Sequence, residues 1–203
     1  FRWTALDSTD TTLEAFLKLN EAGNWSEFLD AMRLFVTPSQ NFVYGDVDGH
    51  IGYVLPGRIP VRQAGDGLTP VPGWTGDHEW TGWIPFESLP RVFDPPSHAI
   101  VTANHRPNPQ GSTMLIGLEY PEPYRADQIE ALIGTHRAIT PDDFRAIQAD
   151  TYSRHAATLL PLLLRHVDPV DADDTLAVEI LKEWTYDADR DAAARADVPR
   201  VAI

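Results

Sequence analysis

Cysteine is absent from the 203 residues. That excludes disulfides, thiolate zinc sites and a cysteine nucleophile together, and it leaves the redox compartment open. No apolar run approaches the ~20 residues of a membrane-spanning helix; the Leu-rich stretch Leu159–Leu164 is far too short and contains Pro161. Basic residues are few beside acidic ones, 16 against 30, giving a net charge of −14 with His neutral. Such an excess repels a polyanion, so nucleic acid is not an expected partner, and the plain reading of the charge is solubility.

Several catalytic signatures are missing as well. The seven His, at 50, 78, 98, 105, 136, 155 and 166, form no HxH, HxxxH or HExxH pair, so no zinc site is expected. There is no Gly-rich phosphate loop and no GxSxG elbow, and nothing supports a Ser-His-Asp triad. Asp46-Val47-Asp48-Gly49 opens like a calcium loop, but the later ligands and the terminal acid that calcium needs are absent, so a hairpin turn is expected there. No signal peptide is legible, and the chain opens on Phe1-Arg2 without Met, which reads as a processed or excised piece.

What is present is a core-forming composition, 43% hydrophobic with six Trp. Phe1–Leu6 reads as the end of a strand. Thr11-Thr12-Leu13-Glu14 has capping-box spacing, with Leu13, Phe16 and Leu17 on one helical face. A second helix is expected from Trp25, with Phe28, Leu29 and Met32 following at core spacing. Phe42-Val43-Tyr44 and Ile51-Gly52-Tyr53-Val54 flank the Asp-Gly turn as a hairpin, which Arg58–Arg62 closes. Trp74 to Pro96 reads as irregular and anchored by aromatics, and Ile100-Val101-Thr102 as a short strand delivering the polar loop Ala103–Pro107.

Beyond Pro107 the pattern turns helical. Helices are expected from Tyr124, from Thr140-Pro141 (Thr as cap, Pro at the first position), from Ser153 and from Asp173. Phe144 and Ile147 are expected to point inward, and the tail from Tyr186 reads as a solvated or frayed helix. The fold class is α+β. Residues 1–117 are expected to form a core of two helices, a hairpin and Trp-rich loops, and residues 118–203 a helical segment.

Two residues could carry chemistry. Asn104, at a strand end, is either a turn residue or an amide donor to an oxyanion. Arg125, near a helix start, either pairs on the surface with Glu119, Glu122 or Asp127, or holds Asn104 or a substrate carboxylate. The residues alone leave both open.

An ordered set of motifs resembles the penicillin acylase family of N-terminal nucleophile hydrolases. It includes Asn24-Trp25 with Phe28, Gln40-Asn41-Phe42-Val43-Tyr44, and Asp46-x-Asp48-Gly49-x-Ile51-Gly52-Tyr53. It continues through Gly57-x-Ile59-Pro60-x-Arg62, Pro72-Gly73-Trp74-Thr75-Gly76, Trp80-x-Gly82-x-Ile84-Pro85-Phe86 and Pro95-Pro96-Ser97. Thr102-Ala103-Asn104-x-Arg106-Pro107 and Tyr124-Arg125-Ala126 complete it.

The resemblance implies part of an αββα sandwich from a precursor that cuts itself into two subunits, with a Ser nucleophile at the start of the large one. It implies hydrolysis of N-acyl compounds such as β-lactams or acyl-homoserine lactones, and a periplasmic or extracellular parent. Asn104 then corresponds to the oxyanion donor, Arg125 to the Arg that orients it, and Gln40, Asn41 and Phe42 to the acyl pocket. The partners implied are the N-acyl substrate, the small subunit and the Ser-led start of the large subunit. An interior piece of this kind would be inactive alone and prone to self-association. A structural calcium in the parent has no evident ligands here, and no other cofactor is implied.

The sequence departs from the family pattern at Asp94 and His98, where members carry Asn and Gly around Pro-Pro-Ser. The alternative is a non-catalytic binding or structural module that keeps the scaffold.

Overall fold

In the computed structural model, which describes residues 1–108, 111–136 and 138–188, the hairpin forms where the Asp-Gly signal places it. Strand β1, Phe42–Gly45, pairs antiparallel with β2, Ile51–Val54, setting Phe42 opposite Val54 and Gly45 opposite Ile51. Asp46 locks the turn. Its Oδ1 accepts from the N–H groups of Asp48 and His50 at 3.0 and 2.9 Å, and Tyr44 donates its hydroxyl to Oδ2 at 2.7 Å. Gly49 supplies the positive φ, 90°. Asp46 thus serves the hairpin turn expected there.

Arg58–Arg62 does not close this hairpin. Strand β3, Pro60–Arg62, instead pairs with β4, Trp80–Trp83, as a separate two-stranded sheet, and β5, Arg91–Phe93, takes the free edge of β2. The span expected to be irregular thus contains two strands. Ile100–Thr102 forms no strand, and Thr4–Leu6 is a turn of 3-10 helix rather than a strand end. Trp74 is 87% exposed and anchors nothing; Trp80 does, under the Arg2 guanidinium at 4.3 Å.

One face of the three-stranded sheet carries the core. Helix α2, Trp25–Met32, is capped by Asn24, whose side chain accepts from the Glu27 N–H while Glu27 accepts from Gly23. It buries Phe28, Ala31 and Met32 against Val54, each large side chain contributing roughly 1.5–3 kcal/mol. Trp25 stacks on Phe28 and Phe93 with ring centres 5.3 and 5.1 Å apart. It sits so close over β2 that a Cβ on Gly52 would lie 2.5 Å from its ring.

Helix α1, Thr12–Leu19, packs on α2, and its Ala15 is fully buried. The expected capping box is not made. The Thr11 hydroxyl donates to the Leu34 carbonyl, and Thr12 Oγ1 accepts from the N–H groups of Val36 and Thr37. Those threonines knit the helix to the next loop instead. The expected core stripe also fails, since Leu13 and Leu17 are 74% and 61% exposed.

The chain divides into two compact units, Phe1–Pro121 and Glu122–Ile203. The second is helical among its described residues: α3, Tyr124–Gly134; α4, Pro141–Gln148; α5, Arg154–Leu163; and α6, Ala172–Glu183. Thr140 and Asp143 form a full capping box on α4, and Ser153 and Asp171 cap α5 and α6. Gln128 ties α3 to its neighbours, accepting from Arg154 Nε at 2.7 Å and donating to Asp150 at 3.0 Å. Pro161 lies inside α5 rather than ending it. Phe144 is exposed, contrary to the helical-face expectation. Tyr152 bridges to Asp187; the rest of the expected tail helix lies outside the described residues from 189 onward.

Candidate active site

Strand alternation sends Tyr53 to the face opposite Gly52 and Val54, and Val92 of β5 pairs directly with it. With the segment Pro95–Asn108 these residues enclose a groove of about 320 Å³ in the first unit, near the lower end for small-molecule sites. Its far wall is the loop that carries Asn104.

Ala103 is buried and pins that loop, while Asn104 itself is exposed and left-handed, with φ 65°. Asn tolerates this conformation better than other residues with a Cβ. Thr102 and His105, on either side of Ala103-Asn104 in the chain, line the groove.

Asn41 reaches the same groove through Tyr53, whose hydroxyl donates to Asn41 Oδ1 at 2.6 Å. Burial pushes the Tyr53 phenol up to about 12, helped by neighbouring Tyr120, so it stays a neutral donor at physiological pH. Phe42 points the other way, into the core, with its ring 5.1 Å from Phe35 and 6.3 Å from Phe16. Gln40 is exposed just before β1. Arg125 belongs to the second unit, where it is exposed at the second position of α3.

The Asp94–His98 turn borders the groove through Pro95. Asp94 and His98 are left-handed, with φ 43° and 52°, and the His98 N–H donates to the Pro95 carbonyl at 2.8 Å. These are the two positions where the resemblance places Asn and Gly, residues that such φ values favour. Here Asp94 is held by side-chain bonds to Ile51 and His50. The Ile51 N–H, then the His50 ring, draw the Asp94 carboxyl below its usual range. The Asp94 hydrogen bond, then its charge, raise His50.

Sequence reasoning missed Tyr53, His105 and Arg106 as groove residues. The alternation across Gly52-Tyr53-Val54 could have placed Tyr53 opposite the core; Arg106 stood in a family motif without a role, and His105 carried no signal beyond adjacency to Asn104. Among the described residues, no group of three or more His, Cys, Asp or Glu could hold a metal ion, and no helix is long and apolar enough to cross a membrane.

Comparison with known proteins places the chain. It is 36% identical over 190 residues, 93% of its length, to the penicillin acylase 2 proenzyme of Pseudomonas sp. strain SE83. It is 37% identical over 123 residues, 61% of its length, to the acyl-homoserine lactone acylase QuiP of Pseudomonas fluorescens. The chain spans 24% of the first relative and 15% of the second. Its fold matches a thermostable penicillin G acylase from Alcaligenes faecalis, an N-terminal nucleophile hydrolase, with a TM-score of 0.68 at 25% identity. That match covers 89% of this chain and 33% of the other. The sequence pattern of the penicillin amidase family matches residues 1–201, and the chain belongs to that family.

Proposed function

We propose that this chain supplies the oxyanion and pocket half of a penicillin-acylase-like amidohydrolase whose Ser nucleophile lies outside it. The parent cleaves the acyl amide of β-lactams, acyl-homoserine lactones or similar N-acyl compounds. The Ser hydroxyl adds to the amide carbonyl and its proton passes to the α-amino group, whose ordinary pKa lies near neutrality. The amine leaves, and water then hydrolyses the acyl-enzyme. Asn104 donates its amide to the oxygen that becomes negative in both additions. The resemblance assigns Arg125 the family's positioning role. Gln40, Asn41 and Phe42 contribute to the acyl pocket.

One observation carries this reading: Asn104 sits in a left-handed turn after buried Ala103, in the loop whose Thr102 and His105 line a small-molecule groove. A backbone fixed in that way limits where the amide can reach, which favours the pre-organisation an oxyanion donor needs. The parent's small subunit and the Ser-led segment are the partners proposed, in a periplasmic or extracellular setting. The chain expressed alone is expected to leave an acylated chromogenic amide uncleaved, and turnover by the pure chain would overturn the placement of the nucleophile.

A further inference from the structure

The groove beside Asn104 has a composition at odds with the rest of the chain. Acidic residues number 30 of 203 overall, yet none lines it; its charged or titratable lining is Arg106, His105 and the phenol of Tyr53. The remaining wall is largely apolar, with Val92, Ile100 and Val101. His105 adds a second observation: among the described residues its Nδ1 is buried and has no hydrogen-bond partner. A buried polar atom left unmatched is costly, and natural proteins leave few without a water, ion or ligand to meet them. Arg106 has no carboxylate partner among the described residues, and its guanidinium carbon lies 5.9 Å from the centre of the Tyr120 ring, an aromatic contact that supports it.

We infer that this groove binds a carboxylate with a short apolar body, held by the Arg106 guanidinium and the His105 imidazole, with the body against Val92, Ile100 and Val101. A guanidinium matches a carboxylate's two oxygens with parallel N–H donors, and an imidazole N–H adds a third. The inference deepens the acylase reading, on which its meaning rests: the carboxylate belongs to the acid released by hydrolysis or to an acid group on the amine half. Arg106 and His105 act as binding and specificity residues rather than as proton carriers.

The test is calorimetric titration of the 203-residue chain with hexanoate, N-hexanoylglycine and the neutral isostere hexanamide. At least one carboxylate is expected to bind about tenfold or more tightly than hexanamide. Tighter hexanoate identifies the released acid as ligand; tighter N-hexanoylglycine identifies the acid on the amine half. Arg106→Met is expected to erase the preference for carboxylates. His105→Phe, which keeps the ring and removes the unmatched nitrogen, should weaken carboxylate binding and leave hexanamide unchanged. Hexanamide binding as well as both acids would overturn the assignment, as would an unchanged preference in a folded Arg106→Met. The comparison of acids with amide in the unaltered chain decides even where a variant fails to fold. No arm requires turnover, so loss of the hydrolase reading and loss of this site remain distinguishable.

Discussion

The carboxylate of Asp94 is shared between the Nδ1 of His50, at 2.6 Å, and the backbone N–H of Ile51, at 3.0 Å. It fastens the turn that borders the groove to the turn end of the hairpin. Asp46 and Asp48 add to the raising of His50. Because His50 is raised, its contribution is complete below its ordinary value of 6.5 and fades as pH climbs through the raised one. Because Asp94 is lowered, its contribution is complete above its ordinary value of 3.8 and fades as pH falls through the lowered one. The tether is therefore strongest between 3.8 and 6.5. The melting-temperature gap between the unaltered chain and His50→Gln is expected to be widest in mildly acidic buffer and to shrink in alkaline buffer. A gap that stays flat across that range would remove the pair from the stability of the bordering turn.

Asn104→Gly separates backbone from chemistry in the parent enzyme. Glycine accepts the φ of 65° without strain, so only the amide is lost. The expected fall in kcat is roughly 10²–10³, about 3–4 kcal/mol, as for other oxyanion-hole donors, with unchanged circular dichroism. Asn104→Ala should match it in rate and be less stable, because Cβ is unfavourable at that φ. A glycine variant with nearly normal kcat would take Asn104 out of the mechanism.

Gly52→Ala tests the contact under the core helix. The new methyl would meet the Trp25 ring at 2.5 Å, and that ring is stacked on Phe28 and Phe93 and cannot swing aside freely. A loss of about 1–3 kcal/mol is expected from such overpacking, read by urea unfolding followed through Trp fluorescence. A change below about 0.5 kcal/mol, the usual range for an uninvolved surface site, would mean the sheet yields at that point.

Among the described residues, strand β5 pairs with β2 along one side only, and Arg91, Val92 and Phe93 are all exposed. An unpaired apolar edge invites a second strand. Concentration-dependent association of the isolated chain is therefore expected in light scattering, and Val92→Lys should reduce it. A monodisperse monomer at high concentration would count against this.

Local signals in the sequence were reliable wherever a backbone requirement and a side chain agreed. Asp46 and Gly49 announced the hairpin, Thr140-Pro141 announced α4, and the spacing of Trp25, Phe28, Leu29 and Met32 marked α2. The failures share a cause, which is competition for the same side chain from distant residues. Thr11 and Thr12 have helix-capping chemistry, yet loop groups from Leu34 to Thr37 claim their hydroxyls. Leu13 and Leu17 follow helical spacing, yet both are exposed and Ala15 is the buried residue of α1. β3 and β4 are separated by a long Gly- and Pro-rich loop, and no local pattern specifies that pairing. For the candidate site, the family motifs named Asn104 and Asn41. The groove that joins them through Tyr53 became visible only when alternate residues of β2 were seen to face opposite sides of the sheet.

The acid-free groove has a kinetic consequence. A carboxylate approaching a chain of net charge −14 meets a repulsive field at long range before Arg106 can attract it at short range. Dissolved ions shrink the reach of that field to a Debye length of about 8 Å at 0.15 M ionic strength, and screen a partly enclosed contact much less. Added salt should therefore speed the arrival of the anion, the reverse of the usual behaviour of a steered encounter.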